Sequence, residues 1–146
     1  MIKVFLFLFV LLTVSIVSAQ TSTRWKPLFA DSEYRWDSES ARKIDNDTVR
    51  FWYENPFSEE QRNFFVKRKI YTQAEANTIA YGRVGVVAKC KSMQYGLFSG
   101  SELNVNKNPL QPGENLPLNK VKMTFIEPET NIEGFVIAVC KHLKMK

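Results

Sequence analysis

The chain has 146 residues, with 20 Lys and Arg against 15 Asp and Glu, a net charge of +5, two cysteines and one histidine. That length supports one domain around one core and leaves little for a second. The apolar content excludes a disordered chain, a collagen or a coiled coil, and two Cys with one His fall short of a four-ligand zinc module.

Residues 1–19 read as a secretory signal peptide, and residues 20–146 as a single domain. Lys3 supplies the positive start, residues 4–17 form an uncharged apolar run, and Val17-Ser18-Ala19 ends in the small residues that signal peptidase requires. As a helix this run would rise only about 21 Å, short of the ~30 Å hydrocarbon core, so a permanent membrane span is not expected. Cleavage takes one lysine with it, lowering the charge from +5 to +4. Ser18-Ala19-Gln20 offers no thiol for lipid attachment. The expected location is therefore outside the cytoplasm, periplasmic or secreted, with any cell-surface association made without a lipid anchor.

The mature chain opens with β signals. Residues 25–30 form a short apolar stretch that Pro27 assigns to a sheet edge. A turn at Asp31-Ser32 follows, then an alternating run over 33–37 with Tyr34 and Trp36 on one face. After a polar stretch, residues 48–54 alternate clearly. Val49, Phe51 and Tyr53 share one face, and Thr48, Arg50 and Trp52 the other.

Residues 57–80 are the least legible. Ser58-Glu59-Glu60-Gln61 fits the cap of a short helix carrying Phe64 and Phe65. An extended continuation of a hairpin over 63–71 fits as well. Residues 82–90 return to period two, with Val84, Val86, Ala88 and Cys90 opposite Arg83, Gly85, Val87 and Lys89. The small side chains on the first face call for a close-packed neighbour. Residues 94–98 complete a hairpin, 99–119 read as a loop, and 120–126 as a last strand with Val121, Met123 and Phe125 on one face.

The end reads as a helix. Thr130-Asn131-Ile132-Glu133 has capping-box spacing, and Ile132, Phe135, Val136, Val139, Cys140 and Leu143 form one apolar stripe. Lys141, His142, Lys144 and Lys146 place positive charge at its C-terminus. Gly134 is unfavourable inside it by up to ~1 kcal/mol.

In an oxidising compartment, Cys90 and Cys140 read as one intrachain disulfide. Two free thiols or a redox pair are the rivals, but the latter requires the close spacing of a C-x-x-C motif. Cys140 lies in the helical stripe and Cys90 on the small face of its strand. The expected architecture is therefore α+β: an antiparallel sheet of about six strands with the C-terminal helix on one face, held by that bridge.

Three segments together resemble the surface-adhesin protein E family of small exported bacterial domains. They are Trp25 with Tyr34-Arg35-Trp36-Asp37-Ser38-Glu39-Ser40, then Val49-Arg50-Phe51-Trp52, then Cys90 with Phe125-Ile126-Glu127-Pro128-Glu129-Thr130 and Cys140. The resemblance spans residues 25–140. It implies an antiparallel sheet of about six strands with a tethered C-terminal helix, and adhesion to host or matrix proteins. In that pattern Asp37 and Ser40 organise a turn, which suits residues that bond neighbouring amides.

No catalytic constellation is found. His142 is the only imidazole and falls in a terminal basic turn, and oxidised cysteines cannot act as nucleophiles. Asp45-Asn46-Asp47 opens like a calcium loop, but the glycine and the twelfth-position glutamate are missing. Glu59-Glu60 suits a helix start better than an acid–base pair, and no phosphate-binding glycine loop occurs. The chain is therefore read as non-enzymatic, with no cofactor and no metal.

Two binding patches remain. Arg62, Lys67, Arg68 and Lys69 form a basic cluster beside Phe64, Phe65 and Tyr71, and Arg50 with Trp52 marks the sheet face opposite the buried one. A solvated loop would use the same residues as the first. The leading reading is an exported interaction module for a host or matrix protein or an acidic glycan. Nucleic acid is not expected. The alternative is a periplasmic carrier of a small molecule or peptide, with the ligand between helix and sheet among Val84, Val86, Phe135 and Val139.

Overall fold

The computed structural model describes residues 24–145, so the signal segment read over 1–19 lies outside the described residues. Eight strands form one antiparallel sheet: β1 (Trp25–Pro27), β2 (Arg35–Asp37), β3 (Arg42–Lys43), β4 (Thr48–Pro56), β5 (Tyr81–Lys89), β6 (Gln94–Leu103), β7 (Glu114–Asn115) and β8 (Thr124–Phe125). The main path runs β1-β2-β4-β5-β6-β7, while β3 flanks β4 and β8 flanks β6. The described residues also form three α-helices: α1 (Glu59–Lys67), α2 (Gln73–Thr78) and α3 (Asn131–His142).

The long central ladder sets the two faces. Val49 pairs with Ala88, Phe51 with Val86 and Tyr53 with Val84, so these alternate residues share the inner face. Trp36 joins them opposite Tyr53. Helix α3 lies on this face, with Phe135, Val136 and Val139 fully buried in one cluster with Trp36, Val49, Phe51, Val86 and Ala88. Phe135 stacks on Tyr53 with ring centroids 4.6 Å apart. Burying each large apolar side chain of this stripe stabilises the fold by about 1.5–3 kcal/mol. Burial in this layer also pushes the Tyr53 phenol up to about 12, with a smaller contribution from Tyr95.

The helix ends as its sequence dictates. Thr130 accepts from the Glu133 amide, and the Glu133 carboxylate accepts from the Glu129 amide. At the other end, Lys144 adopts a left-handed backbone, its amide donates to Lys141 O, and the Met145 amide donates to Cys140 O. The Cys90–Cys140 disulfide spans Cα atoms 6.0 Å apart and fixes the last turn of α3 to the end of β5. Gly134 is tolerated because Leu28 packs onto the helix there: a Cβ would sit 3.2 Å from Leu28 Cδ1.

Three parts differ from the sequence reading. Residues 57–80 form two helices. Each opens with a full capping box, Ser58 with Gln61 in α1 and Thr72 with Glu75 in α2. They enclose a small core of Tyr71, Ala76 and Ile79. Strand β6 continues to Leu103, because Tyr81 at the far end of β5 pairs with it. A bulge at Phe98 shifts the register on the way: Gly85 faces Ser99, while Val86 faces Leu97.

The third difference is the strand expected over 120–126, which contracts to two residues. A 3₁₀ turn at Leu118–Lys120 carries the chain across β6 instead. Gly96 leaves a gap there that Val121 and Met123 occupy; a Cβ on Gly96 would overlap Val121. Phe125 is consequently 70% exposed, and Ile126 enters the core in its place.

Candidate functional site

The outer face of the sheet carries cations laid over aromatic rings. Trp52 pairs with Gly85, Glu54 with Arg83, Arg50 with Val87 and Trp25 with Asp37, which places these side chains together opposite the helix. The Arg83 guanidinium lies 5.3 Å from the centroid of Trp25. Arg50 lies 4.7 Å from the Phe98 centroid, and Trp52 meets the same ring edge to face at 5.2 Å. Lys107 reaches in from the loop after β6, with Nζ 3.1 Å from the centroid of Tyr81. Such cation–ring contacts are attractive by about 0.5–2 kcal/mol each, depending on how dry they are.

Two buried carboxylates anchor these cations. Asp37 accepts from Arg24 Nε at 2.9 Å and Nη2 at 2.6 Å. It also accepts from the amides of Glu39 and Ser40. Burial by itself raises its pKa, but the Arg24 fork and the two amides override that and hold the carboxyl below its ordinary value. The Ser40 hydroxyl donates to Asp37 O and accepts from the Trp52 amide, tying the turn after β2 to β4. Glu54 accepts from Arg83 Nε at 2.9 Å and Nη2 at 2.6 Å, and from Lys107 Nζ at 2.8 Å. Between these ion pairs and the loop after β6 lies a groove of about 320 Å³, lined by Arg24, Trp25, Trp52, Arg83, Ser99 and Ser101 among others.

The basic cluster sits elsewhere, on α1 and the turn after it. Lys67, Arg68 and Lys69 are exposed, and Arg68 lies 5.3 Å from the Phe64 ring centroid. Their exposure follows from the helix end. Lys69 takes a left-handed backbone (φ 57°), its amide donates to Val66 O, and the Ile70 amide donates to Phe65 O. Arg62 is turned away from this group. Its Nε donates to Ile79 O at 2.9 Å and its Nη2 to Phe57 O at 3.0 Å, so it fastens α1 to the segments that flank the helical pair.

The structure therefore keeps Arg50 and Trp52 together on one ring, Phe98, and leaves Lys67, Arg68 and Lys69 as a separate patch. Arg24, Trp25, Arg83, Ser99, Ser101 and Asn115 are among the groove residues that the sequence reading did not assign to a site. Arg83 was legible as a neighbour of Gly85 on the face opposite Val84. Its meeting with Trp25 depends on two strand pairings that no local pattern reveals.

The inner layer that a carrier would have to open is filled: Val86, Phe135 and Val139 are fully buried, and Val84 packs against them. His142 lies edge-on to Trp36, ring centroids 5.2 Å apart. Asp45 accepts from the amides of Asp47 and Thr48, and Asp47 accepts from the Lys91 amide, so this acidic turn ties the β3–β4 connection to the β5–β6 hairpin. Among the described residues there is no group of three or more His, Cys, Asp or Glu side chains placed to hold a metal ion. No helix among them is long and apolar enough to cross a membrane.

An open antiparallel sheet with a disulfide-tethered C-terminal helix defines the class of fold. Solved structures of Haemophilus influenzae protein E share it. One superposes with a TM-score of 0.53 at 14% identity, covering 82% of this chain and 85% of that one. A second crystal form gives 0.51 at 14% identity, covering 82% and 88%. The chain thus has a protein E-like fold. No family model and no curated protein sequence matches it.

Proposed function

We propose that the chain is an exported, non-enzymatic interaction module that binds a host or matrix protein or a glycan through the outer face of its sheet. The observation that carries this reading is that face itself, where aromatic rings and half-exposed guanidinium groups share an open groove. Aromatic and Arg side chains are the residues most enriched at the energetic centres of interfaces. The resemblance to the surface-adhesin protein E family and the protein E-like fold agree with it, although a fold by itself does not assign an activity. Residues 1–19 would direct export, and the disulfide suits an oxidising compartment.

Lys67, Arg68 and Lys69 form the secondary candidate, supplying long-range attraction to acidic partners rather than shape. The two patches are separable. Mature protein is applied to immobilised matrix proteins and heparin at several salt concentrations, beside Trp52→Ala and a Lys67→Gln/Arg68→Gln/Lys69→Gln variant. Loss of binding by at least tenfold in Trp52→Ala, with a weaker salt-dependent loss in the triple variant, is expected. Unchanged binding in Trp52→Ala, or no binding to any surface, overturns the assignment of the outer face.

A further inference from the structure

We propose that the outer-face groove is a binding site for an acidic saccharide, whose carboxylate is taken between Arg24 and Arg83 while the sugar ring lies against Trp52. This rests on the reading of the chain as an interaction module and narrows it to one ligand class.

Charge is the first argument. The Arg24 side chain is 48% exposed over an Asp37 side chain that is only 2% exposed, and Arg83 is 33% exposed over a Glu54 at 5%. Asp37 and Glu54 neutralise the cations from beneath, so within each pair the cation is the group that faces solvent; the exposed Glu39 carboxylate also lies 3.9 Å from Arg24 Nε. Each arginine spends Nε and Nη2 on its own carboxylate, so among the described residues the remaining Nη1 of each has no hydrogen-bond partner. Both guanidinium groups line the same groove, each held in a fixed fork, which lowers the ordering cost of binding an anion.

The rest of the lining distinguishes a sugar from a bare anion. Inorganic phosphate presents no apolar surface, yet Trp25 and Trp52 both line this groove. A pyranose offers an apolar C–H face for such rings and hydroxyls for polar neighbours. Ser99, Ser101 and Asn115 supply those neighbours, and among the described residues none of their side-chain polar atoms is committed to a hydrogen bond. The volume of about 320 Å³ lies near the lower end of small-ligand clefts, enough for one sugar unit. The same carboxylate occurs on terminal sialic acids and on polymer uronates, and separate probes distinguish the two sources.

The mature chain is titrated with sialyllactose, hyaluronan tetrasaccharide, lactose and a glutamate-rich peptide, read by tryptophan fluorescence and calorimetry. Saturable binding of at least one acidic sugar, and none of lactose, is expected. Ser101→Phe, which fills the groove beside its cross-strand partner Arg83, should weaken it at least tenfold, and Lys144→Gly, at the end of α3 away from the groove, should leave it unchanged. If Ser101→Phe fails to fold, Ser99→Val and Asn115→Ala carry the same test with smaller expected losses. Equal binding of lactose, an unaffected Ser101→Phe, or no binding of either acidic sugar overturns the proposal. So does equal binding of the peptide, which would mean that the groove reads carboxylates alone. Failure with sugars while a matrix protein still binds in a Trp52-dependent way removes the saccharide assignment and leaves the interaction module standing. Failure of both removes both.

Discussion

The outer end of the Phe98 ring lies directly over Gly85: a Cβ built on that glycine would come 2.5 Å from Phe98 Cζ. The bulge at Phe98 makes this approach possible, because it turns the side chain out of the ladder and over the neighbouring strand. Arg50 and Trp52 then close on the same ring from β4. Gly85→Ala should therefore push Phe98 aside and cost about 1–3 kcal/mol by overpacking. Urea denaturation would measure it, and the near-UV signal of Trp52 should change in the folded variant. An unchanged midpoint and spectrum would mean that the ring moves away freely.

Lys69 and Lys144 hold left-handed backbones at the ends of α1 and α3, with φ of 57° and 52°. Glycine has no side-chain penalty in this region. Lys69→Gly and Lys144→Gly should each stabilise the fold by about 0.5–1 kcal/mol, seen as a higher thermal midpoint. A fall in either midpoint would show that the lysine side chain contributes more than its backbone strain removes.

The Arg24–Asp37 pair predicts a particular acid response. The folded carboxyl lies below its ordinary value, so the pair stabilises the fold above the unfolded pKa near 4 and loses that contribution as pH falls through the lower folded value. Arg24→Gln leaves a buried carboxylate with only amide donors. Discounted for the exposure of Arg24, the expected cost at pH 7 is about 2 kcal/mol. The stability difference between the two proteins should shrink as pH falls from 7 through the Asp37 titration. Parallel pH–stability curves for the two proteins would contradict this.

The disulfide closes a sequence separation of 50 residues. Replacing Cys90 and Cys140 together by Ser should cost roughly 4 kcal/mol in the chain-entropy model. Unfolding should remain a single transition, since Phe135, Val136 and Val139 keep α3 within the main core. Denaturation followed by circular dichroism and by tryptophan fluorescence checks both points, and two separated transitions would show that the bridge alone holds the helix down.

Local pattern carried much of this protein. The alternation over residues 48–54 and 82–90 assigned both central strands and their buried faces, because a half-buried strand must sort its side chains with period two. The stripe from Ile132 to Leu143 assigned α3 and the face it buries, and two cysteines permitted one bridge. The turn chemistry of Asp37 and Ser40 was legible for the same reason, since side chains that bond nearby amides act within a few residues. Helix α2 had its signal in Thr72 and Glu75, but its six residues are too few for periodicity to emerge.

Only the tertiary structure decided the groove. Trp25, Asp37, Trp52, Arg83 and Ser101 come from β1, β2, β4, β5 and β6, and their meeting depends on pairing order and register. These are long-range properties, set by which strands align and where the bulge at Phe98 falls. The exposure of Phe125 was decided the same way, by the gap at Gly96 that diverts Val121 and Met123 across β6. Hydrophobic periodicity tells each strand which side faces the core, but it holds no record of which strand lies beside it.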